Sequence, residues 1–159
     1  MAAEKNGPVN FADCYVLTDR RTEGFIRLFL DHFLPGRQEY TDTYEVPQFA
    51  ERPVAVFHSA GELVGWLEQH PQERHAIYWY NSEDVTLRGA MALFTSDGRV
   101  ILGLFCETLY PDTANEDHYL QAIMDFCGST EGLIEYATPA AKDAQAFLQR
   151  VEAYRRNRQ

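Results

Sequence analysis

A chain of 159 residues with a net charge of −10 can bury one sizeable core, and its charge argues against nucleic acid or an anionic membrane as the main partner. Its apolar share of 45% against 24% charged residues separates it from disordered sequences. The longest apolar stretch, Val100 to Cys106, is far too short to span a bilayer, and Met1 to Pro8 lack the apolar centre of a signal peptide, so a cytoplasmic protein is expected.

Residues 1–11 read as a flexible lead-in, 12–156 as one domain and 157–159 as a basic end. Cys14 to Thr18 is rich in strand-forming types. From Thr22, the residues Phe25, Ile26, Phe29, Leu30 and Phe33 recur at helical spacing until Pro35-Gly36 stops the run. Arg37 to Arg52 shows no clear period and reads as a long connection. A second strand follows at Val54 to Phe57. Ser59 with Glu62 then forms a capping-box pattern ahead of Leu63, Val64, Trp66 and Leu67.

His75 to Tyr80, Arg88 to Phe94 and Arg99 to Cys106 read as three strands of an antiparallel meander, the last two joined through Asp97-Gly98. The last strand is apolar on both faces beyond Arg99, which places it centrally. Thr113 with Glu116 suggests a second capping box, opening a helix that closes at Gly128. Leu133 to Tyr136 is a short strand. Thr138-Pro139 looks like the start of a final helix carrying Ala144, Phe147, Leu148, Val151 and Tyr154. The order β-α-β-α-β-β-β-α-β-α predicts an α+β fold with a mixed or largely antiparallel sheet.

Few residues advertise chemistry. The glycines form neither a phosphate cradle nor a dinucleotide fingerprint, so no cofactor is expected. The five histidines have no metal-ligand spacing, and Asp117 and His118 point about 100° apart on a helix, so no metal is expected. The three cysteines are odd in number and lie in apolar runs, which favours reduced, buried thiols. Cys106 beside Glu107 would serve as a nucleophile only with a histidine or a positive environment nearby.

What stands out is acidic residues interleaved with aromatics. The connection holds Glu39, Tyr40, Asp42, Tyr44 and Glu45; the meander holds Tyr78, Tyr80, Glu83 and Asp84; the approach to the third helix holds Tyr110 and Asp112. Tyrosines offer contact area with a polar tip, and carboxylates steer a basic partner. The charge is also lopsided: four arginines against Glu152 put +3 in residues 150–159, leaving −13 on the rest.

In overall character, carried by Glu39 to Glu45, Tyr78 to Asp84 and Tyr110 to Tyr119, the chain resembles the immunity proteins that bacteria make against polymorphic toxins. That resemblance implies a non-enzymatic module that occludes the active site of a basic protein. Two other expectations stand beside it. One is a small enzyme with a pocket near Cys106 or His118. The other is a homo-oligomeric structural or regulatory module joined through Val100 to Cys106 or the arginine-rich end.

Overall fold

A computed structural model describes residues 10–83 and 85–158, which form an α+β fold around one six-stranded sheet. β1 (Phe11–Thr18) pairs with β7 (Val100–Glu107) on one side and β8 (Gly132–Glu135) on the other. Beyond β7 come β6 (Leu87–Phe94), β5 (His75–Asn81) and the short edge strand β2 (Arg37–Glu39), and every ladder is antiparallel. The expected meander is therefore β5–β6–β7, with the first strand of the chain inserted beside its last member. Gly98 turns the β6–β7 hairpin at φ +85°, a conformation that a side chain would strain.

The two-residue period of the strands sorts side chains onto two faces. On one face Cys14, Val16, Leu102 and Leu104 pack beneath three helices, α1 (Glu23–Phe33), α2 (Ala60–Gln69) and α3 (Ala114–Cys127). On the other, Leu17, Leu93, Ile101 and Leu133 meet Phe147 and Val151 of α4 (Ala144–Asn157). β7 is thus buried on both sides along most of its length, as its unbroken apolar run requires. α4 leaves the far end of its face open. Among the described residues, no helix is long and apolar enough to cross a membrane.

Helix ends follow local chemistry. Thr22 Oγ1 accepts from the Phe25 N–H, Ser59 Oγ accepts from the Glu62 N–H, and Gly128 closes α3 in the left-handed region at φ +62°.

Four expectations need correction. The connection from Arg37 holds two short strands, β2 and β3 (Tyr44–Val46), the latter paired with β4 (Ala55–Phe57) in a separate two-stranded sheet. Three-residue strands are too short for an alternation to register in sequence. β1 begins at Phe11, within the expected lead-in, because Phe11 pairs with Glu107; residues 1–9 lie outside the described residues. Thr113 makes no side-chain cap, since Glu116 is drawn into the interior, and Asp112 Oδ1 takes the Ala114 N–H instead. The last helix starts at Ala144, capped by Asp143 Oδ1 on the Ala146 N–H, because Ala141 is tucked into the core before the helix can begin.

Candidate functional site

One row of directly paired residues crosses all six strands on the open part of the second face: Gln38, Tyr80, Gly89, Phe105, Asp13 and Glu135. Gly89 leaves a gap between Tyr80 and Phe105. A Cβ there would meet the Trp79 carbonyl at 2.6 Å, beside a register shift in β6, so the position excludes larger residues. The gap becomes a groove of about 390 Å³ walled by Phe11, Tyr15, Tyr40, Tyr78 and Phe105, with both Asp13 and Arg88 in its lining. Tyr40, from the β2–β3 connection, sets its ring edge-on to Tyr78 at 6.2 Å and to Tyr80 at 5.4 Å, and Tyr78 stacks on Phe105 at 6.3 Å.

A second cavity of about 590 Å³ shares Phe11 and Asp13 with the groove and is closed by Asn10, Thr108, Tyr110, Tyr136 and Ala137. Ala137 holds φ at +51°, a costly conformation for a residue with a side chain. Phe11 is 44% exposed and Tyr40 67%, so apolar ring surface faces solvent on the groove walls.

Asp13 is the charged group at the junction. On its face it is flanked by Phe11 and Tyr15 along the strand and by Phe105 and Glu135 across it. Arg150 grips both Glu135 oxygens, at 3.1 and 3.2 Å. Asp13 has no hydrogen bond or ion pair among the described residues. Burial, and secondarily the facing Glu135, push its pKa up to about 6.

Behind the larger cavity lies a second carboxyl group. Glu116 is 0% exposed; its Oε2 accepts the Thr108 hydroxyl at 2.5 Å and the Tyr136 hydroxyl at 2.7 Å. Its Oε1 has no partner among the described residues. Burial and the Glu116 hydrogen bond both raise the Tyr136 phenol above its ordinary range.

The residues singled out in sequence divide three ways. Tyr40, Tyr78 and Tyr80 come together as one aromatic cluster, and Tyr110 lies edge-on to Tyr136 at 5.3 Å in the neighbouring cavity. Glu39, Tyr44 and Asp112 make hydrogen bonds within the fold, Glu39 and Asp112 from exposed positions. Glu39 Oε1 accepts from the Tyr44 hydroxyl at 2.8 Å and from the Ala60 N–H at 2.9 Å, fastening the connection to the start of α2. Tyr44 is buried, contrary to its expected place at the surface, with its hydroxyl donated outward to the exposed Glu39 carboxylate. Asp112 caps α3. Asp42 and Glu83 are exposed, and Glu45 is half-buried, its carbonyl facing His75 Nε2 at 3.0 Å. Asp84 lies outside the described residues.

Sequence reasoning missed Phe11, Asp13, Tyr15, Phe105, Glu116 and Tyr136. The alternation of Phe11, Asp13 and Tyr15 is the available signal, and it shows only when the strand is taken to begin at Phe11. Neither Cys106 nor His118 lines these two cavities; a separate cavity of about 490 Å³ lies along α3, lined by Asp117, Leu120 and Gln121. Cys106 is fully buried in the helix-covered core, and His118 is exposed on α3. All three cysteines are free and buried, and among the described residues no cluster of histidine, cysteine or carboxylate side chains could hold a metal ion. The chain matches no protein-family model, no curated protein and no solved structure.

Proposed function

We propose that the chain is a protein-binding module that covers a basic surface of another protein, in the way immunity proteins cover toxins. The observation that carries this is the open end of the sheet, where the rings of Phe11, Tyr40, Tyr78 and Phe105 surround a carboxylate that has no counter-ion among the described residues. Tyrosine and phenylalanine supply large contact area at low entropic cost and concentrate binding energy at interface centres. A half-buried carboxylate among them selects for basic partners, since a neutral partner would leave it desolvated and unpaired. The net charge of −10, with Asp42 and Glu83 exposed, steers such a partner from a distance.

The test uses the basic products of reading frames adjacent to the gene, titrated against the purified chain. The Tyr40→Ala/Tyr78→Ala double variant should bind at least about tenfold more weakly. Asp42→Lys with Glu83→Lys should slow association and flatten its salt dependence while leaving dissociation nearly unchanged. Undiminished affinity in the aromatic double variant, or failure of every basic neighbour to bind, overturns the proposal.

A further inference from the structure

We infer that the groove at Asp13 is a receptor for an alkylguanidinium group, and, resting on the protein-binding function proposed above, that this group is an arginine side chain offered by the partner. Three observations converge on that chemistry. Asp13 stands in the lining shared by the two cavities and has neither a cation nor a hydrogen-bond donor of its own among the described residues. The cations near it are held by other partners: Arg150 by Glu135 and the Pro139 carbonyl, and Arg88, which itself lines the groove, by Glu107 at 3.7 Å and the Val85 carbonyl. The walls are flat aromatic faces, with Tyr78 and Phe105 stacked at an interplanar angle of 25°.

A planar guanidinium satisfies all three at once. It stacks on rings better than an ammonium does, and its fork of N–H groups pairs with a carboxylate through two parallel hydrogen bonds. The groove volume of about 390 Å³ admits such a side chain.

Protonation of Asp13 should govern the site. The groups around it are Tyr15 on its own strand, Glu135 on β8, Arg150 on α4, Tyr78 on β5, and Arg88 in the groove lining with its partner Glu107. Of these, the carboxyl group of Asp13 itself is pushed to about 6, so an incoming cation must displace its proton at mildly acidic pH.

The experiment is an NMR titration of the whole chain with Nα-acetylarginine amide, with Nα-acetylcitrulline amide as the neutral isostere. The arginine probe should shift Asp13 and Phe105 resonances and bind about tenfold more tightly than the citrulline probe. Affinity should fall about tenfold from pH 7.5 to pH 5. Asp13→Asn, which keeps the shape of the side chain, should lose about tenfold in affinity while retaining the native spectrum. Equal binding of the two probes, shifts confined to another surface, or an unaffected Asp13→Asn variant overturns the inference. The two proposals fail separately. A basic protein that binds the aromatic face but is indifferent to Asp13→Asn sinks this site alone. Arginine-amide binding without any basic protein partner keeps the site and assigns its cation to a small guanidinium compound.

Discussion

Asp13 and Glu135 stand opposite each other across the β1–β8 ladder, and of the two only Glu135 has an arginine to hold among the described residues. Like charges facing each other across a ladder are destabilising. Burial first, and that facing carboxylate second, raise the Asp13 pKa to about 6. In the unfolded chain this carboxyl group ionises near its ordinary value of 3.8, whereas the fold keeps it protonated to higher pH. Protonation therefore favours the folded state: the benefit is complete below about pH 4 and is lost as pH rises through about 6. At pH 7.5 the ionised group costs on the order of 2 kcal/mol. Asp13→Asn should recover most of that at pH 7.5 and little at pH 4, as measured by urea unfolding. Equal gains at both pH values would contradict the assignment.

The pairing of Tyr136 with Glu116 predicts a different cost. Tyr136 and Thr108 supply the two hydrogen bonds to a carboxyl group that is otherwise sealed from water. Removing either donor leaves Oε2 with a single hydrogen bond in a site where Oε1 already has no partner among the described residues. Tyr136→Phe should destabilise by about 1–3 kcal/mol. Tyr110→Phe, on the neighbouring ring of the same cavity but far more exposed, should change stability by less than about 0.5 kcal/mol. Thr108→Val combined with Tyr136→Phe should depart from additivity, since both hydroxyls serve Oε2.

Arg21 ties elements far apart in sequence. Buried between β1 and α1, it donates Nη1 to the Thr95 and Arg99 carbonyls at 3.3 and 3.1 Å, and Nη2 to the Leu67 carbonyl at 2.6 Å. Its guanidinium also lies over the Phe94 ring at 4.9 Å. One side chain thereby joins the β6–β7 hairpin to the end of α2. Arg21→Met should cost about 3 kcal/mol, with carbonyls left bare in the interior, and Arg21→Lys should restore only part because an ammonium cannot span the same fork. A loss below about 1 kcal/mol in chemical denaturation would show the network to be dispensable.

The main elements were legible because long apolar periods dominate them: α1, α2, the meander and α4 each bury a face whose spacing is visible in the residues. The errors fall where a tertiary partner outbids a local rule. Glu116 fits a capping box after Thr113, yet two hydroxyls from other segments take it inward. Thr138-Pro139 fits a helix start, yet Asp143 holds the cap. The groove was half legible. Tyr40, Tyr78 and Tyr80 stand out in sequence, while Asp13 and Phe105 join them only through strand order, which no local pattern encodes. The capping difference can be measured directly. Asp143→Ala should cost about 1 kcal/mol by removing the acceptor for the Ala146 N–H, while Thr138→Ala should cost a few tenths. The reverse ranking in thermal unfolding would restore the earlier helix start.

Burial of the thiols bears on whether the chain hides a cysteine nucleophile. Cys14 and Cys106 are 0% exposed, within the core beneath α1, α2 and α3, and Cys127 is 4% exposed with its thiol pushed up to about 12 by burial. A nucleophilic cysteine needs the opposite environment, partly exposed and electropositive, so that the thiolate persists near neutral pH. None of the three lines the groove or the cavity beside it. An aromatic disulfide reagent at pH 7.5 should therefore label the native chain slowly, at a rate set by opening of the fold, and should label three thiols promptly in denaturant. The native rate should fall when stability is raised by Asp13→Asn, because the same opening exposes the core. One thiol reacting fast in the native protein, unaffected by that stabilisation, would return catalysis at a cysteine to consideration.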